Sequence, residues 1–241
     1  MSRSLQTDTP KNPAIFFAKW SSDNKCFQYY KKSEKEGEKG ENVYIKLPVK
    51  FLVLDILSTI KGYNDNLNSG FYSNEVKDLS KEELVVKCGT GEFKRGLYKD
   101  IKDFLAAAGG KFCASIYAAY KQGKEMSIVN FQIYGAALGQ WIEFTKNNNV
   151  YKCAIEVVDS VEGKKGRTVY NMPVFRAINT TPESDEKAKE LDKQLQEYLT
   201  AYFKSRGIEQ TIDAMHEVIY NDEPQTPIDT FKDNNIDELP F

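Results

Sequence analysis

The sequence predicts a mainly β protein of the α+β class, built as an OB-type barrel elaborated with extra hairpins and short inserted helices. Three observations support this prediction. Short runs rich in β-branched and aromatic residues follow one another, turn signals separate these runs, and only one long amphipathic helix is indicated. With 241 residues and 41% hydrophobic content, the chain can bury a substantial core. The strand pattern alone leaves an SH3-like barrel or a β-sandwich open.

The predicted strands occupy most of the first 178 residues. Each combines β-branched or aromatic residues with turn signals at its ends. The segments are PAIFFAKW (13–20), NKCFQYYKK (24–32), NVYIKLPVKFLVLDIL (42–57), SGFYSNEV (69–76), ELVVKCG (83–89), KFCASIYAAYK (111–121), EMSIVNFQIYG (125–135), VYKCAIEVVDS (150–160) and RTVYNMPVFRAI (167–178). The charged run KSEKEGEKGE between the second and third segments predicts a solvated loop.

Three segments predict helices. Residues 97–108 place apolar side chains on one face and are followed by two glycines, which can supply a left-handed C-terminal residue. Residues 135–147 carry a weaker apolar stripe. The clearest helix begins at Thr181 and Pro182, a typical N-cap and N1 pair, and ends at Gly207. We expect this long helix to pack on the barrel or to form an oligomer interface.

The formal net charge of −2 conceals an asymmetry between two parts of the chain. From Gly207 to Phe241, nine acidic side chains accompany one base, whereas the preceding 206 residues carry 32 basic and 26 acidic side chains. A segment rich in acids and prolines, with little hydrophobic periodicity, is typical of disorder. The predicted organisation is a barrel domain over 1–180, a helix over 181–207 and a flexible acidic tail over 208–241.

Residue counts argue against most classes of catalytic and metal site. The cysteines are widely spaced and form no C-x-x-C pair, so neither a zinc site nor a disulfide framework is predicted. His216 is the one histidine, and a catalytic triad would have to use it from within the acidic region. We therefore predict no enzyme, no metal and no cofactor, although a nuclease built from scattered carboxylates stays open. The cysteines are Cys26, Cys88, Cys113 and Cys153.

Neither a membrane segment nor a nucleotide-binding loop is predicted. No stretch approaches 18 consecutive apolar residues and the polar N-terminal residues contain no apolar signal region, so we expect a cytoplasmic protein without a membrane partner. The glycine-rich run KCGTGEFKRG (87–96) lacks the Gly-Lys-Ser/Thr signature of a phosphate-binding loop. It predicts a turn between a strand and a helix, with Lys94 and Arg95 as candidate contacts to a nucleic-acid backbone.

Aromatic residues interleaved with bases are the informative pattern. In NKCFQYYKK, strand alternation places Lys25, Phe27, Tyr29 and Lys31 on one face. Rings flanked by lysines suit single-stranded nucleic acid, because stacking contributes about 1–3 kcal/mol per base and lysines attract phosphates. A core strand whose rings simply pack is the alternative, since strand parity does not say which face is buried.

Two further segments repeat this pattern. KFCASIYAAYK places a tyrosine between two lysines on one face, and EGKKGRTVYNMPVFR predicts a hairpin with a basic tip and further candidates along its second strand. Both contribute candidate nucleic-acid contacts. These are Lys111, Tyr117, Lys121, Lys164, Lys165, Arg167, Tyr170 and Arg176.

The last residues, FKDNNIDELPF, predict a short linear motif for a partner protein. The ring of the terminal Phe241 would enter an apolar pocket of the partner, while the carboxylates of the motif pair with basic side chains. A basic and aromatic β body followed by an acidic segment and hydrophobic-Pro-Phe resembles the single-stranded DNA-binding proteins of bacterial and phage replication. Bacterial members end in aspartates followed by Ile-Pro-Phe. The matching positions here are Ile236, Asp237, Glu238, Leu239, Pro240 and Phe241.

The resemblance is specific over roughly the last nine residues and architectural elsewhere. The chain departs from the family in three ways: Asn234 and Asn235 stand where more acids are expected, Leu replaces Ile, and the body is longer. The best match is therefore a divergent phage-encoded member in a bacterial host cell. The resemblance implies binding and protection of single-stranded DNA during replication, recombination and repair. It also implies recruitment of a primase, helicase, polymerase or nuclease through the acidic tail.

Two alternative functions stay open. The sequence also leaves open whether the protein forms a homo-oligomer. A phage structural or assembly protein would use the same C-terminal residues as a docking peptide. A metal-dependent nuclease or an annealing protein would show turnover or annealing of a labelled strand. Within the preferred interpretation, the acidic tail can also compete with DNA for the basic groove, because the two carry opposite charge.

Overall fold

A computed structural model describes residues 11–33, 35 and 37–206 of the chain. Within these residues, eleven strands form one large mixed sheet and three helices accompany it, which confirms a mainly β protein of the α+β class. The predictions for the acidic tail 208–241 and for its tip, 236–241, lie outside the described residues.

The strands follow the predicted order with short connections. Their bounds are β1 Phe17–Ser21, β2 Cys26–Lys31, β3 Glu41–Ile45, β4 Val49–Asn64, β5 Ser69–Ser73, β6 Leu84–Cys88, β7 Gly91–Gly96, β8 Gly110–Gln122, β9 Glu125–Tyr134, β10 Ala154–Lys165 and β11 Thr168–Ile178.

The three predicted helices are confirmed. They are α1 (Tyr98–Ala107), α2 (Ala136–Asn147) and α3 (Pro182–Ser205). The Thr181 hydroxyl accepts a hydrogen bond of 3.2 Å from the backbone N–H of Ser184, so the predicted N-cap of α3 is present. None of these helices combines the length and the apolar character that crossing a membrane requires.

Two predicted assignments were wrong, and β4 extends to Asn64, beyond the end predicted at residue 57. Residues 42–57 form two strands rather than one, because Pro48 precedes β4 and has no N–H for a strand ladder. Residues 87–96 do not form a turn between a strand and a helix; they extend from the end of β6 through a tight turn into β7. Gly89, with φ +65°, gives that turn a left-handed residue, so the glycine-rich run serves a β-hairpin.

The sheet branches at its longest strand, β4. On one edge β4 pairs with β8, and on the other it pairs first with β10 and then with β5. The main strand order is β3-β2-β1-β9-β8-β4-β5-β6-β7, with β11 attached to β10. All pairs are antiparallel except β1 with β9. These ladders leave the sheet open, with β3 and β7 at the two ends of its main order.

One side of the sheet holds the main core, which α2 helps to close. Phe131 lies with ring centroids 4.6 Å from Phe27 and 4.7 Å from Phe51, and all three rings are buried. Trp141 of α2 packs edge-on against Phe175 of β11. We call this side the core side.

Helix α3 lies on the opposite side of the sheet. Its buried residues form one stripe and pack on buried residues of β4, β8 and β9. Of the two alternatives predicted for this helix, packing on the β body is therefore what the structure shows. We call this side the α3 side. The stripe consists of Ala188, Leu191, Leu195, Leu199 and Phe203.

Candidate nucleic-acid interface

Three exposed aromatic rings lie together on the α3 side, on the first three strands. Lys19 pairs with Gln28, and Gln28 pairs with Tyr44, so these side chains project from the same side of the sheet. Phe17 and Tyr30 lie two positions from Lys19 and Gln28 and project from that side as well. Phe17, Tyr30 and Tyr44 are 42%, 57% and 47% exposed. We call these five residues the β1–β3 face.

The inward positions of the same strands explain why this face is open. Phe16 stacks on Tyr29 with ring centroids 4.2 Å apart and planes at 8°, and Trp20 packs edge-on against Phe27. These rings join the core, so the alternate positions of β1 and β2 are left outside. The large apolar residues therefore fix which way the strands face, and the lysine and tyrosines between them meet solvent.

This arrangement reverses the face predicted for β2. Phe27 is fully buried and Tyr29 points to the core side, whereas Tyr30 is exposed on the α3 side. Phe27 therefore has no surface open to a base, and Tyr29 stacks on Phe16 on the opposite side of the sheet, so we remove both from the candidate interface. Lys25 and Lys31 are exposed, one in the turn before β2 and the other at its end.

Tyr117 is the third predicted contact that the structure removes from the interface. Its side chain is fully buried beneath α3. The hydroxyl donates a 2.7 Å hydrogen bond to the Glu75 carboxylate and accepts one of 2.7 Å from the Asn12 amide. A ring held in this way fills the packing between helix and sheet and cannot stack on a base.

The predicted basic hairpin forms, and it brings three candidate residues together. Lys164 and Lys165 end β10, Arg167 lies in the turn after Gly166, and all three are exposed. The hairpin is fixed against the β1–β2 turn. Trp20 Nε1 donates a 2.9 Å hydrogen bond to the backbone carbonyl of Asn171. The backbone N–H of Asn171 in turn donates a 2.8 Å hydrogen bond to the Ser22 hydroxyl. Its basic tip extends beyond this contact.

Tyr170 and Arg176 lie further along the second strand of the hairpin. Tyr170 sits opposite Gly163, where an added Cβ would lie 2.5 Å from its ring, so the glycine makes room for the tyrosine. Arg176 is paired with the carboxylate of Glu156, and Lys50 contacts the same carboxylate at 3.3 Å. The hydrogen bond from Arg176, followed by that from Lys50, lowers the pKa of Glu156. Arg176 and Lys50 thus share the single negative charge of Glu156.

The other predicted basic residues are scattered. Arg95 forms an ion pair of 2.9 Å with Glu92, and Lys94 lies 5.0 Å above the centre of the Phe104 ring. Both belong to β7, at the end of the strand order opposite β3. Lys111 and Lys121 lie near the two ends of β8 and are exposed. The structure does not bring these four residues together into one group.

A buried polar network, which the sequence did not predict, joins α3 and the N-terminal segment to the sheet. The Glu75 carboxylate accepts hydrogen bonds from the hydroxyls of Ser115 and Tyr117. Burial raises the pKa of Glu75, although these two hydrogen bonds oppose the shift. Asn12 donates to both Tyr117 and Tyr198. The network fixes the position of the helix beside the β1–β3 face.

Sequence reasoning selected none of the five residues of the β1–β3 face as a candidate contact. A signal was present for Tyr44, because it stands between Val43 and Ile45, and alternation would place a residue flanked by two β-branched neighbours on the opposite face. Phe17 carries no comparable signal, since it follows another phenylalanine in an apolar run. Its exposure depends on the pairing of β1 with β2 and β9.

The chain was compared with protein-family models, curated protein sequences and solved structures, and none of the three comparisons gave a match. Within residues 11–33, 35 and 37–206, no group of three His, Cys, Asp or Glu side chains is arranged to hold a metal ion. The function is therefore argued from the geometry of the β1–β3 face.

Proposed function

We propose that the protein binds single-stranded DNA through the β1–β3 face without strong sequence preference. The observation that carries the proposal is the exposure of Phe17, Tyr30 and Tyr44 beside Lys19 on one side of three adjacent strands. Every base has a π-face that can stack on such rings, and the lysine attracts the phosphates between the bases. Binding of this kind needs no catalytic group.

The spacing of the rings supports this proposal. Neighbouring strands lie about 4.8 Å apart, and diagonal neighbours such as Tyr30 and Tyr44 are about 7–8 Å apart. Isolated exposed aromatic residues are common on protein surfaces, but a group of three on adjacent strands indicates a binding surface. Unstacked bases can lie against such a group, whereas a duplex keeps its base faces covered.

Positive charge around the face supports a nucleic-acid ligand. Lys25 in the turn before β2 and Lys46 directly after β3 are exposed and border it. The hairpin fixed to the β1–β2 turn adds Lys164 and Arg167. Contacts between these side chains and phosphates would make the affinity fall as salt concentration rises, because binding releases the cations condensed on the DNA.

We extend the proposal to an OB-type architecture for the sheet and to a role for the acidic tail. A partly open OB-type barrel fits a sheet in which one long strand, β4, serves different partners along its two edges. We further propose that the acidic segment 208–241 recruits replication or repair proteins through residues 236–241. The resemblance of this tip to the tails of single-stranded DNA-binding proteins supports that role.

Two matched double variants test the proposal. Replacing Tyr30 and Tyr44 by alanine should weaken binding of labelled oligo-dT by about 5- to 150-fold for each ring that stacks on a base. Replacing both by phenylalanine should preserve binding, because the rings remain. Fluorescence anisotropy measures the affinity, and thermal unfolding checks that both variants fold. Equal affinity of the alanine variant and the native protein would sink the proposal and favour a protein-docking role for the face.

A further inference from the structure

Three lysines and one tyrosine form a row across four neighbouring strands on the α3 side. Lys111 of β8 pairs with Lys61 of β4, Lys61 pairs with Tyr72 of β5, and Tyr72 pairs with Lys87 of β6. Residues paired in this way project from the same side of a sheet, so the four side chains stand next to one another. We call them the lysine row.

The positive charge of the row is not balanced by ion pairs. No described carboxylate lies within ion-pair distance of Lys61, Lys87 or Lys111, and paired residues in an antiparallel ladder are only about 4.5–5.5 Å apart at their Cα atoms. Like charges directly opposite one another are unfavourable. The neighbouring acid on β7, Glu92, faces Lys87 but is engaged by Arg95.

Two exposed tyrosines accompany the lysines. Tyr72 is 43% exposed, and its hydroxyl donates a 3.1 Å hydrogen bond to the Gly89 carbonyl, which fixes the end of the ring. Tyr63 is 50% exposed and projects from the same side as Lys61, which lies two positions earlier in β4. Gly70 pairs with Tyr63 and has no side chain to cover it. The row therefore offers rings as well as charge.

The lysine row and the β1–β3 face lie on the same side of one sheet. Ser115, four residues after Lys111 on β8, pairs with Gln132, and Gln132 pairs with Lys19 of the β1–β3 face. Four residues along a strand span about 13 Å. Tyr134 lies between the two sites, because it pairs with Cys113, midway between Lys111 and Ser115.

We propose that the lysine row is a second binding surface for the phosphate backbone of a single DNA strand, so that one strand contacts both the row and the β1–β3 face. Lysines without an ion-pair partner among the described residues favour a polyanion, and the exposed tyrosines favour one with accessible bases. This inference rests on the proposed function and adds the path that the DNA strand takes across the protein.

The test compares two triple variants that remove equal charge. One carries Lys61→Gln, Lys87→Gln and Lys111→Gln. The control replaces Lys99, Lys124 and Lys152 by glutamine, which are exposed lysines outside the row. The probes are oligo-dT strands of about 8 and about 30 nucleotides. The shorter strand lies within the 4–16 nucleotides typical of one OB-type site, and the longer strand exceeds it. Anisotropy over a series of salt concentrations gives the affinity and its salt dependence.

For the long strand, the row variant should bind more weakly, and the slope of log K against log salt should fall by about 0.7 for each phosphate that the variant no longer neutralises. The control should retain a slope close to that of the native protein. For the short strand, both variants should bind like the native protein, because the β1–β3 face suffices. A row variant that matches the control on the long strand overturns the inference alone. Native protein that binds neither strand overturns the proposed function and this inference together.

Discussion

Lys61 and Lys111 face each other directly on the antiparallel strands β4 and β8. At the other end of β4, Lys50 faces Glu156 of β10 across an equivalent pair, and their charged groups are 3.3 Å apart. The same strand therefore carries one lysine that faces an acid and one lysine that faces another lysine. Like charges at directly opposed positions cost stability, and an anion bound against the surface would offset that cost.

Replacing Lys111 with glutamine should stabilise the DNA-free protein. Removing one of two like charges at paired positions is expected to raise the free energy of unfolding by about 0.2–1 kcal/mol. The gain should shrink as salt screens the repulsion. Thermal unfolding at low and high salt measures it, with Lys99→Gln as the control. A lower melting temperature for the Lys111 variant would show that the pair is not under strain.

The assignment of Phe27 to the core and Tyr44 to the surface predicts opposite effects on stability. Phe27→Ala should lower the free energy of unfolding by about 3–5 kcal/mol, because it leaves a cavity beside Phe131 and Trp20. Tyr44→Ala should change it by no more than about 0.5 kcal/mol. Urea unfolding compares the two. Similar losses for both variants would contradict the orientation of β2 and β3.

Glu75 should make stability fall as the pH rises above the ordinary pKa of glutamate, about 4.3. Burial raises the pKa of Glu75 in the folded protein, so across this range the folded state holds a proton that the unfolded state has released. The stabilisation is complete below about pH 4.3 and is lost as the pH passes through the raised pKa. In Glu75→Gln this dependence is absent.

Denaturant unfolding of the native protein and the Glu75→Gln variant between about pH 4 and pH 7 measures this effect. The difference in free energy of unfolding should move in favour of the variant as the pH rises, while contributions from other titrating groups cancel. A difference that stays constant, or moves in favour of the native protein, would show that the carboxylate remains well solvated.

Removal of residues 225–241 should tighten binding of single-stranded DNA at low salt. This segment contains four acidic side chains and one lysine, and it can compete with DNA for the basic surfaces of the body. The effect should disappear at moderate salt, since screening weakens both interactions. Anisotropy with the shortened and full-length chains measures it. Unchanged or weaker binding at low salt would argue against competition.

Sequence reasoning predicted most of the elements because their signals are local. The N-cap at Thr181 and the apolar stripe of α3 depend on residues close in sequence, and the structure confirms both. The hairpin around Gly166 was found for the same reason. The orientation of β2 was predicted wrongly, because the strand carries aromatic residues on both faces, Phe27 on one and Tyr30 on the other, and alternation does not say which face is buried.

The lysine row shows why much of the candidate site could not be predicted. Lys61, Lys87 and Lys111 are separated by more than twenty residues in the sequence, and they meet only through the register of β4, β5, β6 and β8. Of the three, only Lys111 was identified as a candidate, from its own strand. Pairing between distant strands is a tertiary property, so periodicity within a single segment carries no record of it.

Single-strand binding is tested most simply by the fluorescence anisotropy of labelled oligo-dT titrated with the full chain, beside a matched duplex, at low and moderate salt. We expect binding that prefers the single strand and weakens as salt increases, because stacking needs exposed bases and phosphate contacts are screened. No binding at either salt concentration, or equal affinity for the duplex, would contradict it.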